Sequence, residues 1–594
     1  MGESDVMTSR LAALRSAISA NNIAGWYIGR EDLYQGEEVP AGDERLAYIS
    51  GFTGSAGFGV VMADCAALFS DGRYTLQMVT QTDQANWMSH TLPDASFEAW
   101  LGGLDLPAGW VLGIDSRLVT LEGYRKIEAA VTDADGVLVG FDHNLIDSVW
   151  PDRPVLPPAQ PWPMPDAITG RSLTEKLASL DDYLATQNCD AILITRVDAV
   201  NWLINQRGHD LEFTPVTLCF AFYGRGTGLC LLGDVPRLTP LQTAGFTIKP
   251  LDDLAVLLVA LGDGQLMFEP SSLPYCLFRV IEAASARQVE KSCQVTVMKS
   301  QKTAAELRGF HAAHQRDGVA MVEFLCWLDR RHIEGISECA IGEKLLAFRQ
   351  QQDGFVAPSF ATIAGSGPNG AIVHYRAIAG KDRMLQDDDV LLLDSGAHYR
   401  DGTTDITRTI AIGSPPEAAA FAYSHVLKAH INLATALFPA GTTGQQLDVL
   451  ARAPLWTAQM DFAHGTGHGV GHVLSVHEGP AGISKRGMVP LQAGMILSNE
   501  PGFYQTGAWG IRLENLVAVT PVVAGSDATK QGGAFFCFET ITLCPFDRRL
   551  ILPDLLDARE RQWINDYHQK VYDRLSASCS PTAKTWLRAA TEPI

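Results

Sequence analysis

Residues 151–165 contain seven prolines in fifteen positions, and this segment constrains how the whole chain can be divided. Proline lacks a backbone N–H and fixes its φ angle, so such a run favours an extended, semi-rigid connector. We therefore predict a first domain over residues 1–150 and a linker over residues 151–165. At 594 residues the chain is too long for one ordinary hydrophobic core, which favours further division after the linker.

The segments on the two sides of the linker show the same mixture of patterns. Before it, residues 10–18 and 121–131 have the apolar spacing of helices, whereas residues 48–62 and 66–79 read as strand-like runs with turns. After it the order repeats, with a helix, a strand, a helix-like stretch and a strand at 172–187, 191–195, 198–208 and 217–223. A second α/β domain that resembles the first is predicted over residues 166–299.

A long helical pattern begins near residue 300, with Ser300 as a candidate start signal. We place a third domain over residues 300–594. Within it, residues 390–412 read as two strands joined by a tight turn at 400–402. Asp394 and Asp405 lie nearly symmetrically about that turn, which predicts that they are neighbours across the two strands.

A second acidic pair has a similar arrangement in residues 495–519. Glu500 and Glu514 flank a glycine-containing reversal near Gly507, which makes this segment a second candidate hairpin. Four carboxylates at the ends of apolar strands are costly to bury unless they are protonated or matched by positive charge. A pair of divalent cations would supply that charge, because bridging carboxylates can bind both ions at once.

Between the two hairpins lies a segment rich in glycine and histidine, residues 463–480. Its histidines are His464, His468, His472 and His477. Imidazole is a good partner for carboxylate-bound manganese, cobalt or zinc, and one such ligand is enough. The other histidines can contact substrate or move protons. We do not count His472 as a ligand, since the glycines around His468 disfavour a regular helix in which the two would share a face.

Each feature has a simpler interpretation when it is taken alone. Asp394 can be a turn or cap residue, and a glutamate at a strand end is commonly a surface residue. Any one histidine can be a loop residue bonded to the backbone. Two acidic hairpins that flank a Gly/His segment are hard to explain as packing, so the combination favours a metal site.

The motifs DSGAHYRDGTTDITRT, HGTGHGVGHVLSVHEGP, LSNEPGFY and GIRLEN, in this order, resemble those of the pita-bread metallopeptidases. SGFTGSAG, SDGRYTLQ and NWLINQRG, before residue 300, are similar to the long three-domain cytosolic Xaa-Pro aminopeptidases, the aminopeptidase P family. The resemblance implies an α/β (α+β) fold, with two related creatinase-like N-terminal α/β domains and a C-terminal pita-bread catalytic domain. It also implies release of the N-terminal residue from small peptides that have proline in second position.

The resemblance implies two divalent metal ions per subunit, manganese first, with cobalt or zinc also compatible with the ligands. The implied ligands are Asp394 on one ion, Asp405 and Glu514 bridging both, and His468 and Glu500 completing the other. His374, His464 and His477 are implied to line the substrate site, where they stabilise the reacting carbonyl or handle protons.

Arg512 lies two residues before Glu514 in the presumed strand, so both should face the same side, where the guanidinium can orient the bridging carboxylates. The mechanism we expect is attack on the scissile carbonyl by a hydroxide that the two ions share, with Glu500 as the proton acceptor. A metal and His477 polarise the carbonyl, and His374 helps to orient the peptide around the leaving proline.

The formal net charge of −21 works against binding to nucleic acids or to anionic membranes. The amino terminus lacks the apolar core of a secretory signal, and no run of about 18 apolar residues occurs, so we expect a cytoplasmic protein. The eleven scattered cysteines predict reduced thiols. The resemblance suggests a homodimer.

Three alternative functions follow from the same residues. A prolidase would use the same ligands on Xaa-Pro dipeptides, although the long three-domain chain favours the aminopeptidase. A pita-bread scaffold that has lost catalysis and a metal-free C–N hydrolase of the creatinase kind share the fold. The presence of all five ligands counts against both.

Overall fold

The computed structural model describes residues 3–241, 245–330, 335–522 and 534–594. They pack into two compact units, the first made of Met1–Met164 with Ser172–Val295 and the second of Pro165–Arg171 with Thr296–Ile594. Residues 153–161 lie in neither a helix nor a strand, as their prolines predict. The domain limits at residues 150, 165 and 299 stay predictions. Among the described residues, no helix is both long enough and apolar enough to span a membrane.

The first unit contains two six-stranded sheets. The first sheet has strands β1 (Gly25–Gly29), β2 (Phe58–Met62), β3 (Ala66–Asp71), β4 (Met88–Leu92), β5 (Trp110–Asp115) and β6 (Gly136–Phe141). The helices along this part of the chain are α1 (Glu3–Ala20), α2 (Arg45–Ser50), α3 (Thr75–Gln81), α4 (Phe97–Gly102) and α5 (Leu121–Asp133). The order across the sheet is β4-β3-β2-β1-β5-β6. Strands β1, β2 and β3 are antiparallel neighbours, and β4, β5 and β6 are added in parallel.

The second sheet repeats this topology strand for strand. In chain order, residues 162–290 form β7 (Trp162–Pro163), α6 (Asp166–Thr169), α7 (Leu173–Thr186), β8 (Ala191–Ile194), α8 (Val197–Leu203), β9 (Gln206–Arg207), β10 (Phe220–Gly224), β11 (Gly228–Leu232), α9 (Val235–Leu238), β12 (Phe246–Lys249), α10 (Leu254–Leu261), β13 (Gln265–Phe268), α11 (Tyr275–Glu282) and β14 (Arg287–Glu290). The order is β12-β11-β10-β8-β13-β14, with the same parallel and antiparallel neighbours. The predicted likeness of the two regions is confirmed.

Two local predictions in the first unit are wrong. Residues 75–81 form helix α3 rather than a strand, because β3 and β4 are parallel and parallel strands need a crossover connection. Tyr48 begins the strand-like run that was predicted for residues 48–62, but it lies in helix α2. It packs there in the core beside α1, where its ring is buried.

The second unit carries the paired acidic residues. In chain order its elements are α12 (Gln294–Ser300), α13 (Ala304–Asp329), α14 (Glu338–Arg349), β15 (Phe355–Pro358), β16 (Ile363–Ser366), β17 (Val390–Ser395), β18 (Ala397–Tyr399), β19 (Gly402–Thr403), β20 (Ile406–Ala411), α15 (Glu417–Ala434), β21 (Leu437–Pro439), α16 (Gly444–Trp456), β22 (Gly467–Gly469), β23 (Glu478–Ile483), β24 (Ile496–Asn499), β25 (Gly502–Gln505), β26 (Trp509–Arg512), β27 (Asn515–Pro521), β28 (Phe535–Thr540), α17 (Ala558–Leu575) and α18 (Pro581–Ala590). Strands β16, β17 and β20 form one sheet, and a six-stranded sheet has the order β21-β28-β27-β24-β22-β23.

Helix α13 begins later than Ser300, which ends the short helix α12. The cap of α13 is Thr303, whose side chain accepts a hydrogen bond from the backbone of Glu306, while the Glu306 carboxylate accepts from the backbone N–H of Thr303. This reciprocal pair satisfies two N–H groups that a helix start leaves without partners. Ser300 has no acidic partner three residues later, so the capping box forms at Thr303 instead.

Candidate metal centre

The first predicted hairpin is present, with its turn where Tyr399 pairs with Gly402. It is divided between two sheets, since β18 and β19 pair at the tip and β17 and β20 pair at the base. Counting outward from the turn places Asp394 opposite Thr407. Asp405 lies two residues before Thr407, so it is a diagonal neighbour of Asp394 and the direct pairing predicted for them is wrong.

The second predicted hairpin keeps a single register along its length. Gly502 pairs with Arg512 near the turn, and Asn499 pairs with Asn515 beyond the acids. The same register therefore sets Glu500 opposite Glu514, as the sequence predicts. Gly507 in the turn has φ +74°, a conformation that glycine adopts without strain.

These hairpins bring the predicted acidic residues to one place beside His468. Asp405, His468 and Glu514 each offer a ligand atom, and these atoms all lie within 4.8 Å of one another. The Nε2 atom of His468 lies 3.4 Å from Asp405 Oδ2 and 3.5 Å from Glu500 Oε1. The Nδ1 atom of His468 lies 2.9 Å from the carbonyl oxygen of Gly469. Because a carbonyl only accepts, Nδ1 carries a proton, and Nε2 is the ring nitrogen that faces the carboxylates.

The carboxylates of this cluster are out of solvent and close to one another. Burial raises the pKa of Glu514 well above its usual value, and the charges of Asp405 and Asp394 raise it further. Burial also raises the pKa values of Asp394 and Glu500. Burial lowers the pKa of His468, but contacts with Asp405 and Glu500 outweigh it and bring the pKa to about 9. The cluster therefore favours bound protons, which divalent cations would displace.

Two buried oxygen atoms in this cluster have no hydrogen-bond partner, Oδ1 of Asp394 and Oδ1 of Asp405. An unsatisfied buried carboxylate oxygen costs free energy, which a bound cation removes. The donor set is four carboxylates and one imidazole, a combination that suits manganese and related divalent ions. The residues present thus fit a metal centre.

Arg512 is the one guanidinium that reaches Asp394 among the described residues, with its Nη2 atom donating to Asp394 Oδ2 at 2.7 Å. Its Nη1 atom donates to the Tyr504 hydroxyl at 2.6 Å. Its Nε atom lies 3.3 Å from Thr407 Oγ1, which in turn donates to Glu514 Oε2 at 2.9 Å. Arg512 therefore holds Asp394 directly and reaches Glu514 through Thr407.

His464 contacts the same Tyr504 hydroxyl as Arg512. Its Nδ1 atom donates to the Gly465 carbonyl at 2.7 Å, and its Nε2 atom lies 2.8 Å from the Tyr504 hydroxyl. Burial and the charge of Arg512 hold the pKa of His464 well below its usual value, so the ring is neutral. Its direct contact with substrate stays a prediction, since both ring nitrogens are engaged with Gly465 and Tyr504.

The sequence reasoning missed three hydroxyl groups of this site, those of Thr407, Ser498 and Tyr504. Thr407 and Ser498 each lie two residues from a predicted ligand, Asp405 and Glu500, and so share its face of the strand. The Ser498 hydroxyl donates to Glu500 Oε1 at 3.0 Å and accepts from the His468 backbone N–H at 2.9 Å. Alternation along the strands is the signal that could have found Thr407 and Ser498.

The remaining histidines differ in position. His477 is exposed, and its ring centre lies 4.3 Å from that of His468. His374 is partly buried in a turn after β16, and its charge contributes to the low pKa of His464. His472 is buried away from the cluster, with Nε2 lying 2.9 Å from the Asp401 carbonyl and its ring against Phe310.

Directly after His477, Glu478 is held by two buried lysines. Lys299 Nζ lies 2.8 Å from Glu478 Oε2, and Lys302 contacts Glu478 Oε1. All three side chains are at most 2% exposed. Glu478 also begins β23, whose register with β22 shifts between His468 and Gly469. The ion triad therefore fixes the backbone that connects His468 with His477.

Four family models match consecutive parts of the chain. Residues 10–148 and 152–306 match models described as the creatinase/prolidase N-terminal domain. Residues 308–521 match the model of metallopeptidase family M24, and residues 534–594 match the C-terminal region of that family. The predicted fold class, two related creatinase-like domains followed by a pita-bread domain, is confirmed.

Named relatives match over the full length. A probable Xaa-Pro aminopeptidase P of Coprinopsis cinerea is 37% identical, covering 100% of this chain and 99% of its own. One from Coccidioides posadasii is 36% identical and covers 99% of both chains. The crystal structure of an X-prolyl aminopeptidase from Caenorhabditis elegans, described as a cytosolic enzyme with a di-nuclear active site, has a TM-score of 0.91 and 32% identity over 99% of this chain and 100% of its own. A Bacillus anthracis Xaa-Pro dipeptidase, TM-score 0.52 and 28% identity, covers 63% of this chain and 99% of its own.

Proposed function

This chain belongs to the Xaa-Pro aminopeptidases of metallopeptidase family M24, and on that premise we propose that it hydrolyses the bond between the first residue of a small peptide and a proline in second position. The observation that carries the proposal is the cluster of buried carboxylates around His468, two of whose oxygens have no hydrogen-bond partner. The relatives that match this chain over its full length are named as aminopeptidases, which favours the aminopeptidase over a prolidase.

Five residues would hold two divalent ions. Following the family resemblance, they are Asp394 on one ion, Asp405 and Glu514 bridging, and His468 and Glu500 on the other. When bound, the pair of ions supplies an activated water and positive charge at the scissile carbonyl. We propose manganese, because a ligand set of oxygens with one imidazole suits it. The C. elegans relative is described as cytosolic, which supports a cytoplasmic location, and the family resemblance suggests a homodimer.

The protein's own groups would prepare and carry the proton transfers. Glu500 has a raised pKa and a hydroxyl donor from Ser498 that orients it, both of which suit a proton acceptor. Arg512 and Thr407 fix Asp394 and Glu514, so these carboxylates need no rearrangement during the reaction. His477 is exposed and lies beside His468, and we propose that it donates to the carbonyl oxygen of the substrate.

The substrate itself explains why the site needs few donors at the scissile nitrogen. A peptide bond before proline is a tertiary amide without an N–H, so the enzyme does not have to satisfy a donor there. His374 would orient the peptide around the leaving proline. Since the ring of His374 is only partly buried, a substrate can reach it from solvent.

The test compares an Xaa-Pro-Pro tripeptide with an Xaa-Pro dipeptide after chelation and again after manganese is restored. We expect manganese-dependent release of the first amino acid from the tripeptide, with the dipeptide largely untouched. Glu514→Gln should abolish the activity, whereas Glu417→Gln, an exposed acid at the start of α15, should not change it. Cleavage of the dipeptide alone would identify a prolidase. No cleavage with any divalent metal would favour a non-catalytic scaffold.

A further inference from the structure

A buried carboxylate outside the metal cluster, Glu338, organises the segment that carries His374. Glu338 is the first residue of α14 and is 1% exposed. Among the described side chains no cation lies at hydrogen-bond distance from it, and both of its oxygens are held by hydrogen bonds. A buried carboxylate is retained only where such bonds replace water.

Among the described residues, every hydrogen bond to the Glu338 carboxylate comes from the segment 366–383. The Oε1 atom accepts from the backbone N–H of Ser366 at 2.7 Å, from its hydroxyl at 3.0 Å and from Asn369 Nδ2 at 3.1 Å. The Oε2 atom accepts from Asn369 Nδ2 at 3.0 Å, from the Tyr375 hydroxyl at 2.7 Å and from the backbone N–H of Arg383 at 3.0 Å. Donors from the beginning, the middle and the end of this segment thus converge on one side chain.

Only a carboxylate satisfies this arrangement. Both oxygens of Glu338 face donors, and an ionised carboxylate is an acceptor at both atoms. In a glutamine at this position the amide group would point its own hydrogens at one set of those donors. The geometry therefore depends on two acceptor oxygens and not only on the shape of the side chain.

The other face of the same segment lies on the metal site. The Val373 carbonyl, next to His374, lies 3.4 Å from Arg512 Nη2, the atom that donates to Asp394. The short helical turn Gly367–Ala371 rests on β26, where an added Cβ on Gly510 would lie 1.8 Å from the Gly370 carbonyl oxygen. The segment is thus held between Glu338 on one side and the strand of Arg512 on the other.

We propose that Glu338 is a positioning residue for the reaction, which acts by fixing the segment 366–383 so that His374 meets the peptide at the metal centre. Tyr375 is the link, because its hydroxyl binds Glu338 and its backbone follows His374. This inference rests on the proposed aminopeptidase function. A displacement of a catalytic group by about 1 Å can cost about 100-fold in rate, so small movements of this segment should be visible in kcat.

The test is a double-mutant cycle with His374 in the full-length, manganese-loaded protein. Glu338→Gln and Tyr375→Phe should each lower kcat on the Xaa-Pro-Pro tripeptide, by about 10- to 100-fold for the first and by less for the second. KM and the calorimetric affinity for manganese should stay within about threefold, because no metal-cluster residue is altered. In a His374→Ala background, Glu338→Gln should have little further effect, since the two residues act through one another.

Tyr48→Phe is the matched control, because Tyr48 is a buried tyrosine of the other compact unit whose hydroxyl donates to the Val149 carbonyl at 2.8 Å. It should leave kcat unchanged. If Glu338→Gln does not fold, Tyr375→Phe alone carries the cycle. Effects of Glu338→Gln or Tyr375→Phe that multiply with that of His374→Ala, or a wild-type kcat in both variants, would overturn the proposal. Failure of the wild-type protein to cleave the tripeptide would instead overturn the proposed function.

Discussion

Replacing Glu478 by glutamine would remove the negative charge that two buried lysines share. Lys299 and Lys302 are 0% and 1% exposed, and both contact the Glu478 carboxylate. Glutamine keeps the shape of the side chain, so the change isolates the charge. We expect the second compact unit to lose much of its stability, because two ammonium groups would remain buried without their shared partner.

The magnitude follows from the burial of the triad. Removing one partner of a buried ion pair costs about 3–5 kcal/mol, and Glu478 is the carboxylate that both lysines contact, so we place Glu478→Gln within that range. Part of the cost is relieved if a lysine loses its proton, and burial already lowers the pKa of Lys302. A lysine whose pKa is lowered in the folded state binds fewer protons there than when unfolded, so stability rises with pH. The deficit of the variant should therefore shrink as the pH is raised from 7 toward 10.

Calorimetric unfolding of metal-free wild type and variant measures this effect without a contribution from manganese binding. At about 2.1 cal/mol/K of unfolding entropy per residue, a unit of roughly 300 residues loses about 1.6 °C in Tm for each kcal/mol, so 3 kcal/mol predicts a fall of about 5 °C. The double variant Lys302→Met/Glu478→Gln should recover part of that loss, since one of the two buried lysine charges is gone. A fall of less than about 2 °C, or a double variant less stable than Glu478→Gln, would refute the reasoning.

Three further outcomes are expected. Glu514→Gln should reduce manganese binding from two ions per chain to one or fewer in calorimetric titration; retention of both ions would contradict its bridging role. Because burial raises the pKa values of Asp394, Glu500 and Glu514, the metal-free fold binds extra protons and should lose stability as pH rises above about 4, the ordinary carboxyl pKa. Manganese displaces those protons, so the Tm increase it causes should grow between pH 5 and pH 8, and a constant increase would contradict this. Tyr504→Phe removes the hydroxyl that joins Arg512 to His464, and it should lower kcat about tenfold with manganese affinity unchanged. A tenfold loss corresponds to about 1.4 kcal/mol of transition-state stabilisation.

The sequence predicts well that the two acidic pairs come together, because the signal is local. Each acidic pair lies on one hairpin, so turn position and strand alternation are enough to bring Glu500 opposite Glu514. The same reasoning misplaced Asp394 against Asp405 by two residues. The two residue pairs between β18 and β19 place the turn between Tyr399 and Gly402. The amino-acid sequence alone did not locate the centre of this turn to within one residue.

Contacts that join distant segments left no comparable signal. Lys299 and Lys302 are 179 and 176 residues from Glu478, and Glu338 gathers donors that lie 28 to 45 residues away. No periodicity or spacing rule relates such positions, since the tertiary fold alone brings them together. The role of Tyr504 was hidden for a related reason, because an aromatic residue in a strand is ordinarily a packing residue.

Because the second hairpin has a single register, the length of its turn determines where Glu514 lies. Adding one residue between Gln505 and Trp509 would move Glu514 to the opposite face of its strand, where it could no longer meet the cluster. Adding two residues would restore the face and shift the carboxylate along the strand. The residue types at 506–508 can therefore change, whereas the number of residues in the turn cannot. Sequence grafted into this turn should replace residues and not add them.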